Sequence, residues 1–362
     1  MNNLFFELVR VSLSTLDDLS RTPSAQEWNI LYANAGKQAL LGVCFVGVQL
    51  LKKRGCESVK NLPQALLLQW LGMAVHIQQR NELMDKLSAG MWKKLDKAGL
   101  DAALLKGQGI ALLYGDMAGL RQSGDIDMWV KGGFGKMNEY IQSTCPSEDF
   151  AYHRFHYNIY KGTEVELHFR PTLMRNLFDN RKLQRWCAEC PDFVMTEKGF
   201  AVPPACFNRI FILTHIYRHF LFEGVGLRQI MDYFFVLKTD KANERENEND
   251  IRLLTDLRMK RFAEAVMWVL YECFGLDEDC LLCQPNEKEG RFLLAEIMQT
   301  GNFGQGDTRY KGSSKFKMMT RHSIHLLIHY PSEVVWTPIW LVYHKIWKSV
   351  KGRKINKIIR NE

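Results

Sequence analysis

Two aspartates stand one residue apart in the stretch 120–130, Leu-Arg-Gln-Ser-Gly-Asp-Ile-Asp-Met-Trp-Val. The apolar end of this stretch predicts a β-strand, on which Asp125 and Asp127 share one face. Ile126 and Met128 then point into the core. Like charges held this close repel unless a cation lies between them, and Mg²⁺ prefers carboxylate oxygens together with substrate phosphates. The pair therefore predicts a Mg²⁺ (or Mn²⁺) site that handles a phosphate-bearing substrate.

A glycine-containing turn precedes the aspartates. Residues 102–105 are apolar and predict a short strand, Lys106-Gly107-Gln108-Gly109 predicts a turn, and a helix is expected from near Gly109. Free backbone N–H groups at the start of a helix suit a phosphate, and the lysine adds a point charge for the same anion. Because this turn lies shortly before the Asp-x-Asp strand, we expect it to contact a phosphate group of the substrate.

A third acid follows on a predicted hairpin. Residues 151–160 and 164–169 are two strand-like runs joined by a Lys-Gly-Thr turn. The period of two places Glu164, Glu166 and His168 on one face, with Glu164 solvated beside the turn and His168 orienting a carboxylate or packing. If the hairpin lies beside the aspartate strand, three carboxylates converge. That arrangement suits two metal ions about 3.5–4 Å apart, which clamp the attacking and leaving oxygens of a phosphoryl displacement.

These motifs resemble those of the uncharacterised bacterial nucleotidyltransferases of the polymerase-β superfamily. The resemblance is carried by Lys106-Gly107, Arg121, the Asp125/Asp127 pair, Glu166-Leu167-His168-Phe169 and a helical segment from His215 to Asp232. It extends loosely over about 70–330 and is specific mainly in 102–170. The superfamily usually has Gly-Ser or Gly-Gly where this chain has Gly107-Gln108, and its third acid is commonly Asp where this chain has Glu166.

Together the residues and the resemblance imply transfer of a nucleoside monophosphate from ATP or another NTP to a hydroxyl acceptor, with release of pyrophosphate. The roles implied are catalytic metal ligation by Asp125, Asp127 and Glu166; nucleotide contact by Lys106, Gly107, Gln108, Arg121 and Ser123; and contact with the acceptor or support of the site by His168, His215 and Asp232. The acceptor is left open among a sugar, an antibiotic-like small molecule, a peptide and a protein. A phosphotransferase using the same metal site and a non-catalytic nucleotide-binding protein are the alternatives.

The predicted fold class is α+β, with a small mixed sheet between helical regions. We predict an N-terminal helical region at 1–99, a nucleotidyltransferase core at 100–202 and a C-terminal helical domain at 203–362. The helices expected include a long amphipathic one over 66–95, and 240–250 is expected to be a polar loop. The chain has 362 residues, of which 46% are hydrophobic and 24% charged, as in globular proteins. No secretion signal or membrane-length apolar run is seen, so a cytoplasmic location is expected.

Other metal-ligating residue types lie at suggestive spacings. Nine cysteines include the Cys187/Cys190 and Cys280/Cys283 pairs, but the pairs are too far apart for a zinc ribbon, so reduced, buried thiols are expected. His215 and His219 are one helical turn apart without the glutamate of a zinc protease, which favours packing or substrate contact. His322, His325 and His329 also share a helical face and are still weaker candidates for ligands. Asp232 stands among apolar residues and needs a partner, for which Arg228 is the candidate.

The segment 345–360 carries seven basic residues and no acid. Binding of a phosphate backbone, an anionic membrane surface or an acidic partner would each fit. A final helix whose Trp340, Ile346 and Trp347 pack on the body fits equally well. Nucleic acid is an unexpected partner because no recognition motif accompanies the charge. The sequence does not indicate an oligomeric state.

Overall fold

A four-stranded mixed sheet forms the centre of the protein in the computed structural model, which describes residues 3–302 and 325–359. Its strands are β1 (Ala102–Leu104), β2 (Ile126–Val130), β3 (Arg154–His156) and β4 (Val165–His168). The order is β1-β2-β4-β3, with β2 and β4 parallel and the other neighbours antiparallel. The predicted hairpin is therefore confirmed as β3 and β4, and it lies beside the aspartate strand.

Helices precede, interrupt and follow this sheet. Before it are α1 (Asn3–Ser12), α2 (Ala25–Lys37), α3 (Leu41–Arg54) and α4 (Gln64–Lys97); between its strands are α5 (Gln108–Ala111) and α6 (Gly133–Thr144), and α7 (Leu177–Ala188) follows β4. After a small β5–β6 ribbon (Val194–Met195, Ala201–Val202) come α8 (Ala205–Phe222), α9 (Leu227–Thr239), α10 (Glu244–Asp256), α11 (Lys260–Phe274), α12 (Glu287–Thr300) and α13 (Pro331–Ile359). The α+β class and the long helix α4 are thus as the sequence predicted.

Alternation along β2 divides its side chains between two environments. Ile126 and Met128 are buried in an apolar cluster with Leu167 of β4 and with residues of α4 and α6, such as Met91 and Ile141. This cluster covers one face of the sheet and leaves the opposite face for Asp127. The predicted inward orientation of Ile126 and Met128 is confirmed.

A second, larger core joins the two ends of the chain. Phe5 and Leu8 of α1 belong to the same buried cluster as Phe262 and Val266 of α11, and α1 packs on both α3 and α11. The helices before and after the sheet therefore share one hydrophobic core. The division at residues 99 and 202 stays a prediction.

Segment 240–250 was predicted to be a loop, and the structure corrects this. Helix α10 begins at Glu244, and its N-terminus is closed by a capping box in which Asn243 Oδ1 accepts from Glu246 N at 3.0 Å. Glu246 in turn accepts from Asn243 N at 3.1 Å. Of the helix, only Leu254 is fully buried, so α10 needs little apolar sequence. The polar composition that suggested a loop belongs to a capped surface helix.

Helix α13 packs its aromatic residues on the body. Trp340 is buried, and the Trp347 ring centroid lies 5.0 Å from that of Tyr152 and 5.6 Å from that of Phe134. Ile346, by contrast, is 60% exposed, so its predicted packing was wrong. Within the described ranges, no helix is both long and apolar enough to cross a membrane.

The aromatic contacts of α13 predict a contrast between adjacent residues. Trp347→Ala should lower the free energy of unfolding by about 2 kcal/mol, less than for a fully buried tryptophan because Trp347 is only half-buried. Ile346→Ala should change it by less than about 0.5 kcal/mol because the side chain is exposed. Urea denaturation of the two variants measures both. Equal losses would mean that α13 does not pack through its tryptophan face.

Candidate functional site

The register of two parallel strands places the key acids side by side. Asp127 of β2 is paired with Glu166 of β4, and both side chains are buried. His168 lies two residues beyond Glu166 and so projects from the same face of the strand. Ligand atoms of these three residues all lie within 4.8 Å of one another. The predicted convergence of carboxylates is thus present for Asp127 and Glu166, with His168 as the third member of the group.

His168 bridges the two carboxylates. Its Nε2 lies 2.9 Å from Asp127 Oδ1 and 3.3 Å from Glu166 Oε2. Burial lowers the pKa of His168, but its bonds to these two acids outweigh burial and raise the pKa above its ordinary value. The two carboxylates therefore favour the protonated form of the imidazole.

Glu166 is also paired with an arginine. Arg154 Nη1 from β3 donates to Glu166 Oε2 at 2.6 Å. Burial would raise the pKa of Glu166, but the hydrogen bond from His168 and the charges of His168, Arg154 and Lys106 lower it to about 2. Glu166 is therefore ionised across the whole physiological pH range.

Lys106 links the two aspartates of the Asp-x-Asp motif. Its Nζ lies 3.1 Å from Asp127 Oδ2 and 3.8 Å from Asp125 Oδ2. The Asp127 contact is an ion pair without hydrogen-bond geometry, since Asp127 Oδ2 accepts no hydrogen bond among the described residues. Burial lowers the pKa of Lys106, but the charges of the two aspartates raise it by more than burial lowers it. The pKa of Lys106 is therefore above its ordinary value. Asp125 precedes β2 and its side chain is 35% exposed, which places it at the open side of the site.

The glycine turn has the expected strand–turn–helix context, although α5 begins at Gln108 and is only one turn long. Gly107 has φ 58° and ψ −117°, a conformation that L side chains rarely adopt. The Gln108 side chain points away from the acids: its Nε2 donates to Asp85 Oδ1 at 2.7 Å and to Asn81 O at 3.3 Å, both on α4. Only the backbone of Gln108 is left for the predicted nucleotide contact.

Arg121 forms a buried ion pair with Asp232 of α9. Its Nε lies 2.6 Å from Asp232 Oδ1 and its Nη2 lies 2.7 Å from Oδ2. The Tyr114 hydroxyl also donates to Asp232 Oδ1 at 2.7 Å. The sequence suggested Arg228 as the partner of Asp232, but these hydrogen bonds come from Arg121 and Tyr114, while Arg228 Nη1 donates to Gln122 O at 2.6 Å. Arg121 Nη1 is buried and donates no hydrogen bond within the described ranges.

A narrow cavity lies between the glycine turn and helices α8 and α9. Its lining includes Lys106, Gly107, Arg121, Asp125, His215, Arg228 and Asp232. Three of these side chains are cationic and two are anionic, so the lining has an excess of positive charge. The cavity thus brings together six of the predicted site residues, to which Arg228 is added. Ser123 is not among them, and its hydroxyl is buried without a hydrogen-bond partner among the described residues.

Several residues that position the site were not predicted from the sequence. Arg218 Nη1 lies 2.9 Å from His153 Nε2, and the His153 ring is 5.3 Å from that of His168. Asn81 Nδ2 donates to Gly119 O and Arg121 O at 2.7 and 2.8 Å, which fixes the chain just before β2. Arg218 follows His215 by three residues, a helical spacing that could have indicated it. Nothing in the sequence around Asn81 signals its role.

In the part of the chain that the structure describes, the cysteines and the other histidines that the sequence suggested as metal ligands do not belong to the Asp127–Glu166–His168 group. Cys187 and Cys190 are buried free thiols, and among the described residues no group of four cysteines is gathered in one place. The buried rings of His215 and His219 are 4.2 Å apart, and His215 also lines the cavity. His325 pairs with Glu296 and His329 with Glu289, whereas His322 lies outside the described residues.

A small mixed sheet carrying paired acids, with a Lys-Gly turn and a cationic cavity beside them, is the arrangement of a nucleotidyltransferase. The model of a family described as uncharacterised nucleotidyltransferase matches residues 24–275, and the chain belongs to this family. The matched region includes every predicted site residue from Lys106 to Asp232.

One solved structure similar to this chain is an antigenic nucleotidyltransferase-like protein from Paracoccidioides brasiliensis. The identity is 16% and the TM-score 0.31, over 53% of this chain and 92% of the other. No curated protein matches the sequence significantly.

The buried Arg121–Asp232 pair generates a stability prediction. Asp232→Asn keeps the shape of the side chain but leaves the Arg121 charge uncompensated, so it should lower the free energy of unfolding by about 3 kcal/mol. Tyr114→Phe removes one hydrogen bond and should cost about 1 kcal/mol. Asp116→Asn, at an exposed position of the same segment, is the control and should change little. The free energies of unfolding are measured by chemical denaturation. If Asp232→Asn lowers the free energy of unfolding no more than Asp116→Asn does, the pair has no structural role.

Proposed function

We propose that the protein is a Mg²⁺- or Mn²⁺-dependent nucleotidyltransferase of the polymerase-β superfamily. It transfers a nucleoside monophosphate from an NTP to a hydroxyl acceptor and releases pyrophosphate. The observation that carries this proposal is the register of β2 and β4, which holds Asp127 beside Glu166. Asp125 and the cationic cavity lie next to that pair.

The donor set fits a hard divalent cation. Asp125, Asp127 and Glu166 offer carboxylate oxygens, and two of these groups are buried where an unneutralised pair of anions would be costly. In the structure, Lys106 and His168 supply positive charge at the positions where a metal would do so. Asp125 and Asp127 would hold the metal that accompanies the triphosphate, and Asp127 and Glu166 would hold a second. When bound, the ions would neutralise phosphate charge and stabilise the negative charge that develops during the transfer.

The residues of the cavity fit a triphosphate. Lys106, Arg121 and Arg228 bring positive charge to its lining, and Arg121 Nη1 is a buried donor without a hydrogen bond in the described structure. Gly107 allows a phosphate to approach the backbone because no Cβ stands in the way. We assign these four residues to the triphosphate, with Ser123 and the backbone of Gln108 as further contacts.

Glu166 belongs to the acceptor side in this proposal. It is on β4, one strand further from the glycine turn than Asp127, and it does not line the cavity. Its carboxylate is fixed by Arg154, so it can hold an acceptor oxygen in a defined direction. Proper orientation of the attacking group supplies much of the rate enhancement in such transfers. The acceptor is therefore expected to approach over β4 and β3.

Binding of NTP should require a divalent cation. In calorimetry with ATP, GTP, CTP and UTP, at least one nucleotide should bind with Mg²⁺ or Mn²⁺, and its affinity should fall at least about tenfold in EDTA, because the triphosphate then faces uncompensated carboxylates. Magnesium sulfate without nucleotide is the control for heats of metal binding. Equal affinity in EDTA would contradict a site in which metal joins the acids to the triphosphate.

Substitution of Glu166 and of its neighbour Glu164 tests whether Glu166 has a role in the transfer reaction. Glu166→Gln should lower transfer by about two orders of magnitude or more while NTP still binds, because Asp125 and Asp127 remain. Glu164→Gln is the matched control: Glu164 is exposed, lies two residues before Glu166 and directly precedes β4, and its substitution should change transfer less than about twofold. Asp125→Asn and Asp127→Asn should each abolish transfer.

Transfer is measured with NTP radiolabelled at the α-phosphate or at the γ-phosphate, using sugars, small polyhydroxy molecules, peptides and the protein itself as acceptors. Label from the α-position on the acceptor, together with pyrophosphate, supports the proposal. Label from the γ-position together with ADP identifies a phosphotransferase instead. Metal-dependent binding without any transfer to these acceptors or to water would favour a non-catalytic nucleotide-binding protein. A loss in Glu164→Gln equal to that in Glu166→Gln would contradict the assigned roles.

A further inference from the structure

Helix α13 leaves an apolar face uncovered opposite the face that packs on the body. Five of its exposed aliphatic side chains follow one another at spacings of four, three, four and four residues, which places them in a single stripe along the helix, and exposed Leu341 lies outside this stripe. This outer stripe consists of Val335 (56% exposed), Ile339 (49%), Val342 (62%), Ile346 (60%) and Val350 (50%). The packed face is formed by Trp340 and Trp347. The outer stripe therefore contributes nothing to the core that has been described.

The outer stripe is long and nearly straight. At 1.5 Å per residue it extends over about 22 Å of the helix. Near its beginning, Phe178 of α7 is 67% exposed and its ring is edge-on to that of Trp336 at 5.4 Å between centroids. An exposed apolar band with an exposed aromatic ring at one end is the kind of surface that marks an interaction site.

Charge identifies the class of partner. Between residues 334 and 361 the sequence has seven basic residues and no acid. Lys345 and Arg353 are exposed on the same helix as the outer stripe, whereas the ammonium of Lys348 lies over the ring of Phe150 on the body, 5.4 Å from its centroid. A neutral apolar partner would leave this charge unused, whereas an anionic one would be attracted to it. The surface thus combines an apolar line with an excess of positive charge.

We propose that α13 is an interfacial helix that docks the protein on an anionic lipid surface. The outer stripe would enter the boundary between headgroups and acyl chains, and Lys345 and Arg353 would reach the phosphates on their long stems. A second copy of the chain fits less well, because pairing the same surface with itself brings the two basic helices together. The helix lies outside the family-matched residues 24–275, so docking is a property added to the nucleotidyltransferase part.

Vesicle sedimentation of the full-length protein tests the proposal. The protein should bind phosphatidylcholine vesicles that contain about one-third phosphatidylglycerol and should bind pure phosphatidylcholine at least about tenfold more weakly. Raising salt from about 0.1 M to about 0.5 M should weaken binding because exposed charges are screened. Absence of binding to the anionic vesicles, or equal binding to both kinds, would overturn the proposal.

A neutral double variant isolates the apolar contribution. Val342→Ser with Ile346→Ser leaves the net charge unchanged and should weaken binding to anionic vesicles about tenfold or more. The matched control, Leu68→Ser with Leu83→Ser, changes two similarly exposed residues of α4 (58% and 45% exposed) and should stay within about twofold of the parent. Thermal melts verify that both proteins are folded. Equal binding of the two double variants would exclude the outer stripe as the docking surface.

A second pair of variants isolates the charge. Lys345→Ala with Arg353→Ala should weaken binding to anionic vesicles roughly twentyfold, since each basic residue near such a surface contributes on the order of fivefold. Lys52→Ala with Lys53→Ala, which removes two exposed lysines at the end of α3, is the matched control and should have a much smaller effect. Sedimentation velocity at several protein concentrations gives the remaining test. A dimer that is lost in the serine double variant would assign the stripe to contacts between copies and reject lipid docking.

Discussion

Two carboxylates held side by side out of water are the constraint that shapes this site. Asp127 and Glu166 are neighbours across parallel strands, and burial of two like charges costs free energy unless cations accompany them. The structure provides partners for these acids from separate elements: the ammonium of Lys106 from the turn after β1, the imidazole of His168 from β4 itself and the guanidinium of Arg154 from β3. A slip of one residue between β2 and β4 would turn one acid to the opposite face. The sheet register and the charge arrangement therefore depend on each other.

Helices α3 and α4 hold in place the irregular segment before β2, which carries residues of the candidate site. The chain just before β2 is neither an α-helix nor a strand, yet its position decides where Arg121 and Asp125 lie. Asn81 of α4 holds the Arg121 carbonyl, and the Gln122 side chain accepts from Leu41 N at the start of α3. Because α3 and α4 belong to one continuous core with the later helices, the segment is held by the whole body of the protein.

The sequence predicted what depends on local periodicity and missed what depends on contacts across the chain. The inward direction of Ile126 and Met128, the β3–β4 hairpin and α4 follow from patterns that can be read within a few residues. The partner of Asp232 does not: Arg121 lies 111 positions away, and only packing of α9 against the 112–120 segment brings them together. The Gln108 side chain likewise turns to α4, which no neighbouring residue indicates. The capped helix α10 was missed at its start because residues 244–250 contain no apolar side chain, so no hydrophobic periodicity marks that part of the helix.

The pairing of charges also explains why cation and nucleotide should enter the site together. Lys106 is shared by Asp125 and Asp127, and it also lines the cavity proposed for the phosphates. A triphosphate alone would draw the lysine away from both aspartates, which would deprive Asp125 of this ion pair and leave Asp127 with His168. A metal alone would displace the lysine and leave a buried ammonium without a partner. In the proposed complex the carboxylates would hold the metal, Lys106 would bind a phosphate, and each buried charge would retain a counter-charge. The ion pairs seen in the structure thus keep the acids compensated until the proposed metal–nucleotide complex would replace them.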